Sequence, residues 1–179
     1  YDHYLQKQKL VYLQKLADTD LLTDTMNRNA YEKKVNRLNV QKDKLHTTGL
    51  ILFDLDNLKI INDRFGHEKG DEALQLCSQF FPDKENLFRI GGDEFAYFYN
   101  KNKENNIGDK IAQLNQTLES TEHTFNYPLS ISSGYACFLP EMDNTFKDLA
   151  KRSDLMLYRI KRKRKLAYAG SSELLTSNT

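Results

Sequence analysis

Apolar positions along the chain change period several times, and each change marks an element. Residues 1–17 carry Leu5, Tyr12 and Leu16 as an apolar stripe, with Val11 and Leu13 beside it and Gln and Lys elsewhere, which predicts a helix. Asp18-Thr19-Asp20 breaks it and offers caps for the next helix. That second helix is predicted from Asn27 to Val40. Leu50-Ile51-Leu52-Phe53 is a short unbroken apolar run, the pattern of a strand buried on both faces, and it stops abruptly at Asp54-Leu55-Asp56-Asn57. A helix through Ile60, Ile61 and Phe65 ends at Gly66. Another is expected to start at Gly70-Asp71, capped by Asp71, and to stop at Pro82-Asp83.

Leu87–Ile90 and Phe95–Tyr99 are aromatic and β-branched runs around Gly91-Gly92-Asp93-Glu94, which predicts a hairpin. Helix over Ile107–Leu118, strand over Leu129–Phe138, helix from Asp148 to Lys163 and a short last strand at Leu166–Ala169 complete the pattern. The order reads as a βααββαβ-like α+β layer fold, with helices on one face of a mainly antiparallel sheet. Residues 1–18 form a separate N-terminal helix, either folded on the domain or the end of a coiled-coil stalk pairing two chains. Residues 19–172 form the domain, and 173–179 are expected to be a disordered tail.

With 179 residues the chain can bury a real core without disulfides. Lys plus Arg is 26 and Asp plus Glu 25, so a net charge of +1 gives no global case for a nucleic-acid partner. Cys77 and Cys137 sit among apolar residues outside any CxxC and read as buried reduced thiols of a cytoplasmic protein. No apolar run approaches the length of a membrane span. The chain opens mid-helix without Met, so a longer protein is expected, with an upstream part that could tether it to a membrane.

Asp54 and Asp56 leave a rigid apolar strand, a good mount for carboxylates that hold a hard cation, although Asp56 or Asn57 could merely cap the next helix. Asp93 and Glu94 stand side by side at a hairpin tip, where their like charges repel unless a cation relieves them. Gly91 and Gly92 allow close approach of backbone to a ligand or a positive φ. Free N–H groups at Asn57 and Leu58, where the next helix starts, offer a phosphate cradle that Lys59 could assist. Asn62 and Asp71 carry the amide and carboxylate that suit a guanine edge, though each alone reads as a cap or surface group. Lys161 and Lys165, four apart in a basic run, share a helix face and could hold a triphosphate; the plainer reading is a solvated face.

Taken in order, these residues resemble the GGDEF family of diguanylate cyclases. The match takes in Asp20-Leu21-Leu22-Thr23 with Asn27-Arg28, Phe53-Asp54-Leu55-Asp56-Asn57-Leu58-Lys59 through Asn62-Asp63, and Phe65-Gly66-His67 with Gly70-Asp71. It continues through Arg89-Ile90-Gly91-Gly92-Asp93-Glu94-Phe95 and Ser153-Asp154 with Leu157-Tyr158 and Lys161. The resemblance implies a nucleotidyl cyclase or polymerase-palm (ferredoxin-like) fold. It implies two Mg2+ (or Mn2+) ions per active site, ligated by Asp54, Asp93 and the Leu55 carbonyl, with Glu94 close by and Asp93 the proton acceptor. It implies guanine contacts from Asn62 and Asp71 and phosphate contacts from Lys161. Two GTP-loaded chains would meet as a homodimer to make cyclic di-GMP and pyrophosphate, under an upstream sensor.

Three departures stand out. The family's Arg-x-x-Asp inhibitory site is absent from Phe81-Pro82-Asp83-Lys84-Glu85, so no product inhibition through that site is expected. The usual Gly-Arg-Asn is Arg164-Lys165-Leu166, which puts a lysine where an arginine grips phosphate. Asp24-Thr25 replaces Gly-Leu in the early motif. The rival readings are a catalytically silent GGDEF module that binds GTP or partners, and a palm-like nucleotidyltransferase on nucleic acid, which the charge disfavours.

Overall fold

The computed structural model describes residues 2–81, 83–121, 127 and 129–176, with side chains described for 3–81, 83–121, 127 and 129–165. In chain order the elements are α1 (Asp2–Asp18), β1 (Thr19–Asp20), β2 (Thr25–Met26), α2 (Arg28–Val40), α3 (Lys42–His46), β3 (Thr48–Leu55), α4 (Leu58–Phe65) and α5 (His67–Gln79). A 3-10 turn (Lys84–Asn86) then leads to β4 (Leu87–Arg89), β5 (Glu94–Asn100), α6 (Ile107–Glu119), β6 (Ile131–Cys137) and α7 (Phe146–Thr176). The six-stranded sheet has the order β1-β2-β4-β5-β3-β6. All its pairings are antiparallel except β2 with β4.

β3 is the central strand of the site. Its side chains alternate across the sheet, and both faces are covered. Ile51, Phe53 and Leu55 join Phe95 and Tyr97 of β5 in a core closed by α4, α5 and α6. Leu50 and Leu52 join Ala96 and Phe98 in a second core closed by α2, α3 and α7. The expectation of helices on one face is therefore corrected: a strand whose middle, Leu50–Phe53, is apolar at every position cannot leave either face to water.

Gly134 lets α7 lie directly on β6. A Cβ there would overlap the backbone of Ser153 and Leu157. The Ser153 hydroxyl, fully buried, donates to the Leu50 carbonyl at 3.3 Å and fixes the same helix over β3.

The expected helix from Asp148 to Lys163 starts at Phe146 and runs on to Thr176, so no strand forms at Leu166–Ala169. Arg164 stands where a glycine would stop the helix, and Arg, Lys, Leu and Ala all sustain it. Residues 173–176 of the expected tail continue α7, and 177–179 lie outside the described residues. α5 begins at His67 rather than at Gly70-Asp71, because Gly66 (φ 89°) both ends α4 and opens α5; Asp71 lies within α5 and is not its cap. Leu5, Val11, Tyr12, Leu13 and Leu16 of α1 are exposed. Cys77 is fully buried, and burial pushes its thiol up to about 12, while Cys137 is only half-buried; both are free thiols. No helix among the described residues is long and apolar enough to cross a membrane.

Candidate active site

β3 carries Asp54 near its C-terminal end, on the α7 side of the sheet, in line with Leu50 and Leu52. There it lies between Glu94 of β5 and Ser132 of β6, its partners in register. The hairpin tip is tied to the same point, since the Leu55 N–H donates to the Asp93 carbonyl at 3.0 Å. Asp93 and Glu94 thus reach Asp54 through the backbone ladder. Gly91 makes the tight turn possible, because a Cβ there would press on the Glu94 carboxylate. Neither hairpin glycine takes a positive φ, so close approach is the reason for glycine at 91.

From α7, Lys161 Nζ donates to Asp54 Oδ2 at 2.8 Å. Burial raises the Asp54 pKa to about 6, helped by the Asp93 and Asp56 charges, while Lys161 pulls the other way. At the half-exposed Lys161, burial lowers the pKa, but the hydrogen bond to Asp54 and the charges of Asp54, Asp93 and Glu94 outweigh it and raise the ammonium. One pair thus behaves differently at its two ends, because Asp54 is the more deeply desolvated partner.

Asn57 turns the chain from β3 into α4 in the left-handed region, φ 61°, which Asn tolerates better than most residues. It makes no side-chain cap to α4, so it leaves the helix's first N–H groups available. A cavity of about 570 Å³ lies on the α6 side of the sheet, whereas one of about 560 Å³ joins Asp54, Asn57, Lys161, Arg164 and Lys165. The second is large enough for a nucleotide's phosphates. Lys59 is exposed and does not line it. Leu58 packs against the α4–α6 core, leaving only its backbone for a ligand. Asn62 and Asp71 do not line this cavity; they sit in α4 and α5, where a Cβ at Gly70 would displace the Asn62 amide.

The donor set suits a hard divalent cation: Asp54 and Asp93 carboxylates and the Leu55 carbonyl are all oxygen ligands. No cluster of three or more His, Cys, Asp or Glu occurs among the described residues. That fits a site with few protein carboxylates whose remaining ligands come from substrate phosphates. Burial and, after it, the charges of Asp93 and Asp56 raise Asp54, and a cation held there would offset both.

Residues 17–166 match the family model described as "Diguanylate cyclase, GGDEF domain". The chain belongs to the GGDEF family. A curated relative named diguanylate cyclase, from Vibrio cholerae serotype O1, is 32% identical over 158 residues, covering 84% of this chain and 48% of its own length. Diguanylate cyclase DgcN of Escherichia coli is 32% identical over 132 residues, covering 71% of this chain and 31% of its own. The chain thus spans about half or less of these relatives. Among solved structures, the coiled coil and GGDEF domain of DgcB from Caulobacter crescentus in complex with c-di-GMP superposes with a TM-score of 0.76 at 23% identity, covering 90% of both chains. A microbial GGDEF domain described in a novel interaction mode with cyclic di-GMP gives a TM-score of 0.64 at 30% identity, covering 84% of this chain and 94% of its own. The palm-like α+β fold with its preceding helix is therefore that of the GGDEF domains.

Two features of this GGDEF domain were not foreseen from sequence. The first is the engagement of Asp56, which accepts from Ser130 Oγ at 2.7 Å, from Ser132 Oγ at 2.6 Å and from Arg164 Nη1. Of the two strand-exit carboxylates, Asp56 is spent on protein contacts. The i, i+3 spacing of Lys161 and Arg164 was the available signal, placing both on one helix face. The second is Arg89, which donates to the Gly92 carbonyl at 2.7 and 3.2 Å and pairs with Asp20 at 3.3 Å, bracing the hairpin tip. Burial raises the Asp20 pKa, but hydrogen bonds from Thr23 and the Arg89 charge outweigh it and hold the carboxyl below its ordinary value.

Proposed function

We propose that the chain is a diguanylate cyclase domain that condenses two GTP into cyclic di-GMP and two pyrophosphates. The observation that carries this reading is the meeting of Asp54, Lys161 and the uncapped start of α4 at one cavity beside Asp93. Family membership supplies the reaction class.

Each chain would bind one GTP. The α4 N-terminal N–H groups, Lys161 and Lys165 would hold its phosphates, with Lys59, outside the cavity lining, assisting only from solvent. Asn62 and Asp71 would read the guanine edge, the carboxylate accepting from N1–H and N2–H₂. Asp54, Asp93 and the Leu55 carbonyl would hold two Mg2+ (or Mn2+), which supply charge neutralisation on the phosphates and acidify the attacking hydroxyl. The 3′-hydroxyl of one GTP attacks the α-phosphorus of the other; an O3′–P bond forms and the bond to pyrophosphate breaks in line. Asp93 accepts the hydroxyl proton, with Glu94 beside it. A second round with roles exchanged closes the ring.

One chain presents one such cavity, so two must face each other. The exposed apolar positions of α1 support a stalk that pairs them, joined to a sensor upstream. Product would not inhibit through an Arg-x-x-Asp site, since 82–85 lack the arginine.

A silent GTP-binding module draws support from Lys165 in place of arginine. Incubation with GTP and magnesium, with nucleotides resolved by chromatography, separates the two. Cyclic di-GMP is expected; GTP bound and returned unchanged would favour the silent module.

A further inference from the structure

We propose that Arg164 is a positioning residue for the triphosphate site, acting through Asp56 rather than on phosphate. This rests on the cavity of Asp54, Lys161 and Lys165 being the GTP site.

Asp56 stands at the mouth of that cavity, where a free carboxylate would repel a triphosphate. Its two oxygens are fully engaged. Ser132 Oγ donates to Oδ1 at 2.6 Å, Ser130 Oγ donates to Oδ2 at 2.7 Å, and Arg164 Nη1 pairs with Oδ2. The same Nη1 lies 2.9 Å from Ser130 Oγ, and the Asp56 N–H donates to the Ser130 carbonyl at 2.9 Å. Two hydroxyls can orient a carboxylate but cannot cancel its charge; among these partners only the guanidinium does both. The network binds three elements at one point: the exit of β3, the start of β6 and the turn of α7 that carries Lys161 and Lys165.

Asp54 is thereby left as the strand-exit carboxylate whose side-chain partner, Lys161, belongs to the cavity itself. Lys161, three residues before Arg164, and Lys165, one after it, are held at the cavity by a tie that uses neither of their charges. Arg164 is itself committed to Asp56 and so is not a free anion ligand.

The test is a mutant cycle in the full chain with Arg164→Met, Asp56→Asn and the double variant. Methionine keeps the aliphatic stem and the helix propensity. GTP affinity is read by calorimetry, KM and kcat by cyclic di-GMP formation, and folding by the thermal midpoint. Arg164→Met should weaken GTP binding roughly tenfold, chiefly in KM, by leaving the Asp56 charge uncompensated. Asp56→Asn should bind GTP at least as tightly as the wild type. The double variant should return to within about threefold of wild-type affinity, because the charge that Arg164 cancels is gone. A double variant as weak as Arg164→Met would overturn the proposal and make Arg164 a direct phosphate ligand. A lower thermal midpoint with unchanged affinity would also overturn it, leaving a purely structural tie. The affinity pattern without any cyclic di-GMP would count against the cyclase reading alone; no GTP binding by the wild type would overturn both.

Discussion

Lys161 Nζ lies 2.8 Å from Asp54 Oδ2, so α7 places a cation on the carboxylate that β3 carries near its C-terminal end. The lysine answers the Asp54 charge here, and on the proposed function it would turn to phosphate when nucleotide binds. Lys161→Met is expected to raise the KM for GTP about tenfold or more, since the proposed phosphate contact would be lost. Folding stability should change only on the order of 1 kcal/mol, because Lys161 is half-exposed and the buried Asp54, already pushed up to about 6, can take up a proton near neutral pH. Steady-state kinetics beside urea denaturation would show both effects.

The close approach of α7 to β6 makes a stronger stability prediction. Gly134→Ala would drive a Cβ into the backbone of Ser153 and Leu157, which cannot rotate away. A loss of about 3 kcal/mol is expected in urea denaturation, the upper range for overpacking. Activity should fall as well, since the same helix carries Lys161.

Asp20 gives the pH dependence. Its carboxyl titrates below its ordinary value in the folded protein, so the folded state sheds this proton more readily than the unfolded chain. The stabilisation is therefore complete above the unfolded value of about 3.9 and is lost as pH falls through the folded value. Asp20→Asn should destabilise the protein at pH 7, with the difference from wild type shrinking as pH falls below the unfolded value. Denaturation curves across that range provide the check.

On the proposed function, product should not arrest the reaction through residues 82–85. Initial rates with cyclic di-GMP added at micromolar concentration are expected to match those without it. Strong non-competitive inhibition would show a product site that the missing arginine does not control.

Much of this fold is legible because its signals are local. The unbroken run Leu50–Phe53 marks a strand buried on both faces, and Gly91-Gly92 between two aromatic runs marks the hairpin that pairs with it. The far end of the chain reads wrongly from sequence because Arg164 and Lys165 stand out as a departure from a motif rather than as helix formers, which ends α7 too early. Two-residue strands such as β1 and β2 have no period to read; they form because Asp20, Thr23 and Arg89 meet across 69 residues of sequence. At the site, Asp54, Asn57, Lys161 and Lys165 line one cavity. The employment of Asp56 cannot be read from the spacing of Asp54 and Asp56. It depends on Ser130, Ser132 and Arg164, which are brought together only by the register of β6 and the length of α7.

The central claim is that two GTP-loaded chains must meet to react. Its most direct measurement is the initial rate of cyclic di-GMP formation from GTP and magnesium across a range of protein concentrations, for the wild type and Asp93→Ala. The rate should rise faster than linearly with wild-type protein and vanish in the variant. GTP bound with no product at the highest concentration, or product undiminished by Asp93→Ala, would contradict it.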